Sequence, residues 1–292
     1  MRRNRFAWWA ITPFAGIMLL FGIFPMLQLL RMSVSDVNIQ QGSLSWRYAG
    51  LDNFRKLITD DAVRESALVT ATFIMGTVPL TVLFGTLLAL LVHRAKLLSG
   101  LAKNVILWPA VIAPVVVSLM WLLILSSSVG ALNRVMSSTG LPTQAWLGSR
   151  VGAMTSVIAV DVWHWTPIVF LLVLTALQGM DAEILEAARV DGASEVALVR
   201  YVILPMLRPV IGVAILIRLV MSVKAFDEMF LLTRGGPDGA TNLISLHIRT
   251  VFFDRLQLGY GAAMSVGVVL IVGFMLLMAA MARRLVARGG IT

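Results

Sequence analysis

Three side chains able to bind a ligand occur together in an apolar stretch, residues 151 to 178. Asp161, His164 and Trp165 have the spacing i, i+3, i+4, which places them on one face of a helix. A carboxylate accepts hydrogen bonds from hydroxyl groups, and an indole ring offers an apolar face to C–H groups. Ionisable groups at the centre of a membrane helix cost about 2.5 to 3.5 kcal/mol each, so they are functional candidates.

A second group of ionisable residues occurs in the apolar stretch 209 to 232. Its members are Arg218, Lys224, Asp227 and Glu228. Lys224 and Glu228 are four residues apart, so they can neutralise each other on one helix face. Paired charges also hold helices together, and the residues alone leave a ligand pathway and a structural pair equally open.

Residues 180 to 208 form a long polar stretch between two apolar runs. Asp181 is a typical N-cap residue for a helix with one apolar face, and Gly192 allows a break in the left-handed conformation. A second short helix is predicted to follow and to end at Pro205. The pattern predicts a compact element that projects from the spans.

This element is suited to docking against another protein. The small side chains of Ala187 and Ala188 fit deeply into a groove, and Glu186 can meet a basic residue of the partner. The same polarity pattern is typical of a helix that lies on lipid headgroups, and periodicity alone favours that alternative.

The residues that nucleotide-binding, zinc and nucleophilic sites require are absent from the sequence. The chain has no G-x-x-x-x-G-K-[ST] loop to bind nucleotide phosphates, and no cysteine. Its three histidines lie far apart without an H-E-x-x-H pattern, which argues against a zinc site. Ala263 stands where a nucleophile elbow around Ser265 needs glycine. A membrane-bound enzyme is therefore disfavoured, and no cofactor is expected in this chain.

The composition explains where these residues must lie. Of 292 residues, 59% are hydrophobic and 13% charged, which is more apolar surface than one water-soluble domain can bury. The net charge of +9 is scattered over short loops and termini, so anionic membrane lipid is a better counterion than nucleic acid. We therefore predict an all-α polytopic membrane protein with a single domain, residues 1–292.

Six apolar stretches are long enough to span a membrane. They cover about 7 to 30, 67 to 92, 105 to 126, 151 to 178, 209 to 232 and 260 to 282. The first is expected to be a retained helix. Arg94, Lys96 and Lys103 occupy one short loop without an acidic residue, and both termini are arginine-rich. The positive-inside rule therefore places that loop and both termini in the cytoplasm.

The polar stretch carries a spaced motif. Glu186-Ala187-Ala188, then Gly192, then Leu204-Pro205 resemble the EAA-x3-G-x9-I-x-L-P signature of bacterial ATP-binding-cassette (ABC) importer permeases. Val202 in place of isoleucine is the one departure. Three helix-forming residues alone are uninformative, but the spaced glycine and Leu-Pro before a final pair of spans make the match specific.

The resemblance extends to the carbohydrate-uptake permeases and covers most of the chain. Its segments are Ala49–Phe54, Leu107–Pro109 with Pro114 and Trp121, and Thr233–Thr241. It implies a type I importer fold with a cytoplasmic coupling loop at 180–208, in a bacterial inner membrane. The implied partners are a second permease, two ATPase subunits that bind ATP and magnesium, and an extracytoplasmic solute-binding lipoprotein.

The resemblance also implies roles for particular residues. Coupling to the ATPase is expected of Glu186, Ala187, Ala188, Asp191, Gly192, Leu204 and Pro205. The substrate pathway is expected to include Asp161, His164, Trp165, Met221, Lys224, Ala225 and Asp227. Which permease of the pair contacts the substrate stays open. An ion-coupled secondary transporter is the alternative, because Asp161, Asp227 and Glu228 offer intramembrane carboxylates.

The missing phosphate loop generates a direct prediction. The purified chain, free of other subunits, is expected neither to bind nor to hydrolyse ATP, because it has no backbone cradle and lysine for the phosphates. Phosphate release and nucleotide binding by the detergent-solubilised chain are the measurements. ATP turnover that survives removal of every other subunit would contradict the importer interpretation.

Overall fold

The computed structural model describes residues 2–40, 43–95 and 99–289, and these are mostly helical. Lys96, one of the basic residues used for orientation, lies outside the described residues. The elements are α1 Arg2–Met18, α2 Phe24–Ser33, β1 Ser35–Gln40, β2 Ser43–Tyr48, α3 Asp52–Thr59, α4 Asp61–Arg94, α5 Ser99–Val111, α6 Pro114–Ile124, α7 Ala131–Ser138, α8 Arg150–Gln178, α9 Ala182–Val190, α10 Glu195–Ala197, α11 Leu204–Val223, α12 Asp227–Leu232, α13 Ile244–Arg249 and α14 Leu258–Gly289. Turns of π-helix occur at Leu19–Ile23, Leu198–Ile203 and Thr250–Asp254.

Within the residues that the structure describes, five helices are long and apolar enough to cross a membrane. They are Ile11–Ser33, Asp61–Arg94, Arg150–Gln178, Glu195–Val223 and Leu258–Met281. The count rises to six if Gly100–Val111 and Pro114–Ile124, which are bent by 97°, form one broken span. The mostly helical fold and the number of apolar stretches agree with the sequence prediction.

The bend between α5 and α6 has a local origin. Ala113 has φ −60° and ψ 138°, an extended conformation, and Pro114 begins the next helix. The proline ring disfavours helical geometry in the residue before it, so the helix stops there. The single span predicted over residues 105 to 126 is therefore divided at Pro114, where a proline within an apolar run is expected to bend its helix.

The fifth span differs from its predicted range of 209 to 232. Its helix is continuous from Glu195 to Val223, so the prediction that a short helix ends at Pro205 is wrong. The π-helical turn Leu198–Ile203 lies directly before α11, and Pro205 lies in the first turn of α11. A wider turn accommodates a ring that would clash in a regular helix, and a proline near a helix start needs no N–H partner.

The span also ends before its predicted C-terminal limit. Residues 224 to 226 are not helical, and α12 begins at Asp227. The N–H of Ala225 donates to the Ser222 carbonyl at 3.3 Å, and the Ser245 hydroxyl donates to the Ala225 carbonyl. These bonds satisfy backbone groups that the break releases, which an apolar environment requires.

The chain separates into two compact units, residues 66–246 and residues 1–65 with 247–292. In the first unit α8 is the central helix. Phe73, Val157 and Val160 belong to one apolar cluster, and Phe170 with Val173 to another. A side chain at Gly85 would meet Val169 at 2.7 Å, so glycine lets α4 approach α8 closely.

The second unit contains a hairpin that the sequence analysis did not predict. Strands β1 and β2 are antiparallel, with Val37 opposite Trp46. The Asn53 amide donates to the carbonyls of Ser33 and Ser35 at 3.1 and 3.0 Å, which joins α3 to the start of the hairpin. These bonds give Asn53 of the Ala49–Phe54 segment a structural role.

The same unit holds a polar contact at the start of α4. The Tyr260 hydroxyl donates a 2.6 Å hydrogen bond to the Asp60 carboxylate. This hydrogen bond, followed by backbone N–H groups, lowers the pKa of Asp60 although burial opposes it. Asp60 is therefore held as an acceptor that fixes α14 beside the start of α4.

Candidate functional site

Two of the three α8 residues predicted to line a pathway, Asp161 and His164, pair with buried side chains of other helices. Asp161 lies one turn before His164 on α8, and its carboxylate forms an ion pair with the Arg218 guanidinium of α11. The two side chains are 2% and 1% exposed. Within an apolar bundle such a pair is tolerated because the charges cancel, and breaking it leaves one charge uncompensated.

His164 is buried behind the same face. Its Nδ1 lies 3.3 Å from Oε1 of Glu228 on α12, and its Nε2 lies 3.3 Å from the Ile112 carbonyl at the bend. Its ring stacks at 4.4 Å, centroid to centroid, on the ring of Trp165. Of the predicted ligand-binding face, Trp165 is half-buried, whereas His164 is hydrogen-bonded within the protein itself.

A cavity of about 260 Å³ lies where these elements meet. It is lined by Pro114, Asp161, Trp165, Met221, Lys224, Ala225, Phe226, Asp227 and Glu228. All the residues predicted for the pathway except His164 contribute to this wall. The ammonium of Lys224 can donate hydrogen bonds to a ligand, the carboxylate of Asp227 can accept them, and the ring of Trp165 offers an apolar face. Such a mixture suits a ligand with many hydroxyl groups.

The structure does not bring Lys224 and Glu228 into the expected ion pair. Glu228 contacts His164 instead, and Lys224 is exposed and has no ion pair in the described part of the chain. The helix ends at Val223, so the i, i+4 geometry that the pair requires is absent. Lys224 is thereby left available to the cavity.

A larger groove of about 720 Å³ lies among α4, α5 and α8. Its wall is apolar, with side chains such as Leu80, Phe84 and Trp163. Its hydroxyl groups are already bonded, since Thr155 and Thr166 donate to carbonyls of their own helix. Polar groups that converge on a ligand distinguish a binding site, so the smaller cavity is the better candidate.

The predicted coupling loop forms α9 and a tight turn. Asp181 caps α9, its side chain accepting from the Glu183 N–H at 3.0 Å. Gly192 has φ +82°, the left-handed conformation expected of it, and the Ala193 N–H donates to the Ala188 carbonyl at 3.0 Å. The sequence analysis therefore located the turn correctly.

One face of α9 packs inward and the other is open. Leu185 and Ala188 contact the apolar cluster that includes Leu198, while Glu186 and Ala187 are exposed. Ala187 is therefore the better candidate to contact a partner, because Ala188 already packs within this chain.

Apolar side chains beside this face are exposed. Val190 is 88% exposed and Ile184 44%, and Val196 in the first turn of the next helix is 75% exposed. Exposed apolar groups around a charged residue are typical of a protein contact surface. Sequence analysis missed Val190 and Val196 because periodicity does not reveal which face the rest of the fold covers.

Ion pairs fasten α9 to the helix that follows. Glu195 meets Arg94 of α4 at 3.0 Å and Arg189 of α9 at 3.4 Å. These pairs are partly exposed and contribute little individually, but they join three elements at one carboxylate. Leu204 and Pro205, also predicted for coupling, lie in the first turn of α11.

Comparison with known proteins identifies a family. Residues 81–288 match the family model of the binding-protein-dependent transport system inner membrane component. A probable ABC transporter permease of Sinorhizobium fredii is 32% identical over 257 residues, covering 88% of this chain and 83% of the relative. The trehalose/maltose transport system permease of Thermococcus litoralis is 29% identical over 266 residues, covering 91% and 89%.

Solved structures share the fold. A chain of a bacterial alginate ABC transporter, crystallised with a periplasmic protein bound to an alginate pentasaccharide, superposes with a TM-score of 0.83. The match covers 97% of this chain and 96% of the other at 22% identity. The likeness establishes the fold of this chain and carries no conclusion about its ligand.

The Asp161–Arg218 pair generates a stability prediction. Arg218→Met is expected to destabilise the protein by about 3 to 5 kcal/mol, because Asp161 would keep a buried charge without a partner. Asp161→Leu combined with Arg218→Met is expected to recover most of that loss. Thermal unfolding of the membrane-inserted protein measures both.

Lys224→Met is the matched control, since it removes an exposed cation. This variant is expected to change the free energy of unfolding by no more than about 0.5 kcal/mol. Equal destabilisation by the single Arg218 variant and the double variant would show that the charges do not compensate each other.

Proposed function

Because this chain belongs to the family of binding-protein-dependent transport system inner membrane components, we propose that it is the permease subunit of an ATP-driven carbohydrate importer. In this proposal α9 and the turn at Gly192 receive the movement of a separate ATPase. The cavity beside Trp165 belongs to the translocation path.

The open face of α9 carries the proposal. It combines exposed Glu186 and Ala187 with exposed Ile184 and Val190, on an element outside the candidate spans. A short helix of this kind fits into a groove of a partner, and Glu186 can pair with a basic residue there. Since this chain lacks a phosphate loop, ATP and magnesium belong to the partner.

The substrate class is supported by two independent lines. Relatives across the length of the chain are named for trehalose and maltose transport. The cavity presents donors, acceptors and an aromatic face together, as a carbohydrate requires. Asp161 is the weakest of the proposed ligands, because Arg218 already engages its carboxylate.

The proposed assembly contains a second permease, two ATPase subunits and an extracytoplasmic solute-binding lipoprotein, in a bacterial inner membrane. The alginate transporter of similar fold was crystallised with a periplasmic protein. Arg94 ends α4 and Lys103 lies in the first half of α5, so basic residues flank the connection between the two helices, which supports a cytoplasmic location for it. Both termini and α9 are proposed to lie on the same side.

The ion-coupled alternative needs a carboxylate free to exchange protons or bind sodium within the membrane. Asp161 is held by Arg218, and Glu228 by His164, so only Asp227 of the three carboxylates would serve this alternative. Family membership and these pairs favour the importer.

The turn at Gly192 tests the proposal. Gly192→Val is expected to reduce coupled uptake roughly tenfold or more, because a β-branched residue resists the φ of +82° by about 1 to 2 kcal/mol. A side chain there meets no atom within 4 Å, so the defect is conformational rather than steric. Gly192→Asn is the matched control, since asparagine tolerates this conformation and should keep most activity.

Glu186→Lys is expected to weaken docking, because a lysine would face the basic residue proposed on the ATPase. Uptake of radiolabelled trehalose or maltose, ATPase activity and co-purification of the ATPase are measured in vesicles that contain the full complex. Wild-type uptake and co-purification in both Gly192→Val and Glu186→Lys would refute the coupling role of α9.

A further inference from the structure

The bend between α5 and α6 leaves a carbonyl group to be satisfied. The N–H groups of Val116 and Val117 both donate to the Ala113 carbonyl, at 2.9 and 3.1 Å. Across the described ranges, no backbone N–H donates to the carbonyl of Ile112. A carbonyl without a partner within a bilayer costs several kcal/mol.

His164 meets this carbonyl from the neighbouring helix. Its Nε2 lies 3.3 Å from the Ile112 oxygen, and because a carbonyl only accepts, Nε2 must carry the hydrogen. On the other side of the ring, Nδ1 lies 3.3 Å from Oε1 of Glu228. One shared proton between Nδ1 and Oε1 keeps the pair neutral overall, whichever atom holds it.

We propose that His164 is a positioning residue rather than a substrate ligand, and that it sets the direction of α6 at the bend and holds α12 beside it. The His164 side chain is 1% exposed and does not line the cavity, which excludes direct contact with a solute. Pro114 at the start of α6 and Asp227 at the start of α12 do line it. The bonds of His164 therefore hold the cavity walls formed by α6 and α12 against α8.

The local sequence accounts for only part of the bend. The Ala113-Pro114 pair stops the helix, but it does not select the direction in which the next helix leaves. Along α6, the helix α12 packs as a neighbour. A bond from α8 to Ile112 and a bond from α8 to Glu228 give α6 and α12 fixed anchors, so the 97° angle has a tertiary cause.

Distances between spin labels can measure this angle. Leu101 in α5 and Leu123 in α6 are 66% and 67% exposed, and the chain has no cysteine, so Leu101→Cys with Leu123→Cys gives two defined labels. Pulsed electron resonance is recorded on the purified full chain reconstituted in lipid vesicles. In the His164→Phe, Glu228→Leu double variant, the distance distribution is expected to broaden and shift to longer distances. This variant buries no unpaired carboxylate, so insertion should survive.

Glu228→Gln is the matched control, because its amide can donate to Nδ1 while Nε2 still bonds to Ile112. It is expected to keep the wild-type distance. If the double variant does not insert, the label distance is measured in His164→Gln instead. Glutamine retains an N–H donor for the Ile112 carbonyl, so this variant should show the wild-type distance.

A wild-type distance in the double variant, or a broadened one in His164→Gln, would overturn the inference. The contribution of His164 to transport rests on the proposed function, but the label distance does not. A failed importer proposal would therefore leave this result unchanged, and a failed positioning role would leave uptake and ATPase coupling as they are.

Discussion

An ionised side chain surrounded by hydrocarbon has to meet an opposite charge or share a proton, and in this chain that requirement falls on α8. Asp161 binds Arg218 of α11, and one turn later His164 binds Glu228 of α12. In each pair the charges of the two side chains neutralise each other. They consequently fix the helices around α8 and leave the charges of Lys224 and Asp227 for the cavity.

The same constraint connects the cavity to the surface of the protein. The helix Glu195–Val223 is continuous, so the turn at Gly192 and the guanidinium of Arg218 lie on one connected path. At one end Glu195 is tied to α9 through Arg189, and near the other Arg218 is tied to Asp161. In the proposed importer, a displacement of α9 by the ATPase would be carried along this path to Asp161, which lines the cavity. Substrate release would be linked to ATP hydrolysis in this way.

The sequence predicted what depends on local spacing. The apolar stretches, the helix capped by Asp181 and the left-handed turn at Gly192 follow from periodicity and residue type, and all appear in the structure. The pairing of Asp161 with Arg218 joins residues 57 positions apart, and no spacing rule reaches that far. For the same reason the sequence offered Lys224, four residues away, as a partner for Glu228 and did not reveal His164.

The structure also differs from the sequence prediction at two prolines. Pro205 was taken as the end of a helix, but a preceding π-helical turn lets the helix continue through it. Pro114 does break its span, and the resulting bend exposes the Ile112 carbonyl that His164 satisfies. Whether a proline stops, bends or begins a helix depends on partners from other elements, which a single sequence does not display.

If the helix Glu195–Val223 carries movement from α9 to the cavity as one rigid body, its own length stays constant while it moves relative to α8. Spin labels at Val196→Cys and Ile217→Cys span 21 residues, roughly 31 Å of helix. Their distance is expected to be the same with and without ATP in the assembled complex, while the distance from Ile217→Cys to a label at Val151→Cys on α8 changes. A change along the helix itself, with the α8 distance constant, would show that Leu198–Ile203 is a hinge and would refute rigid transmission.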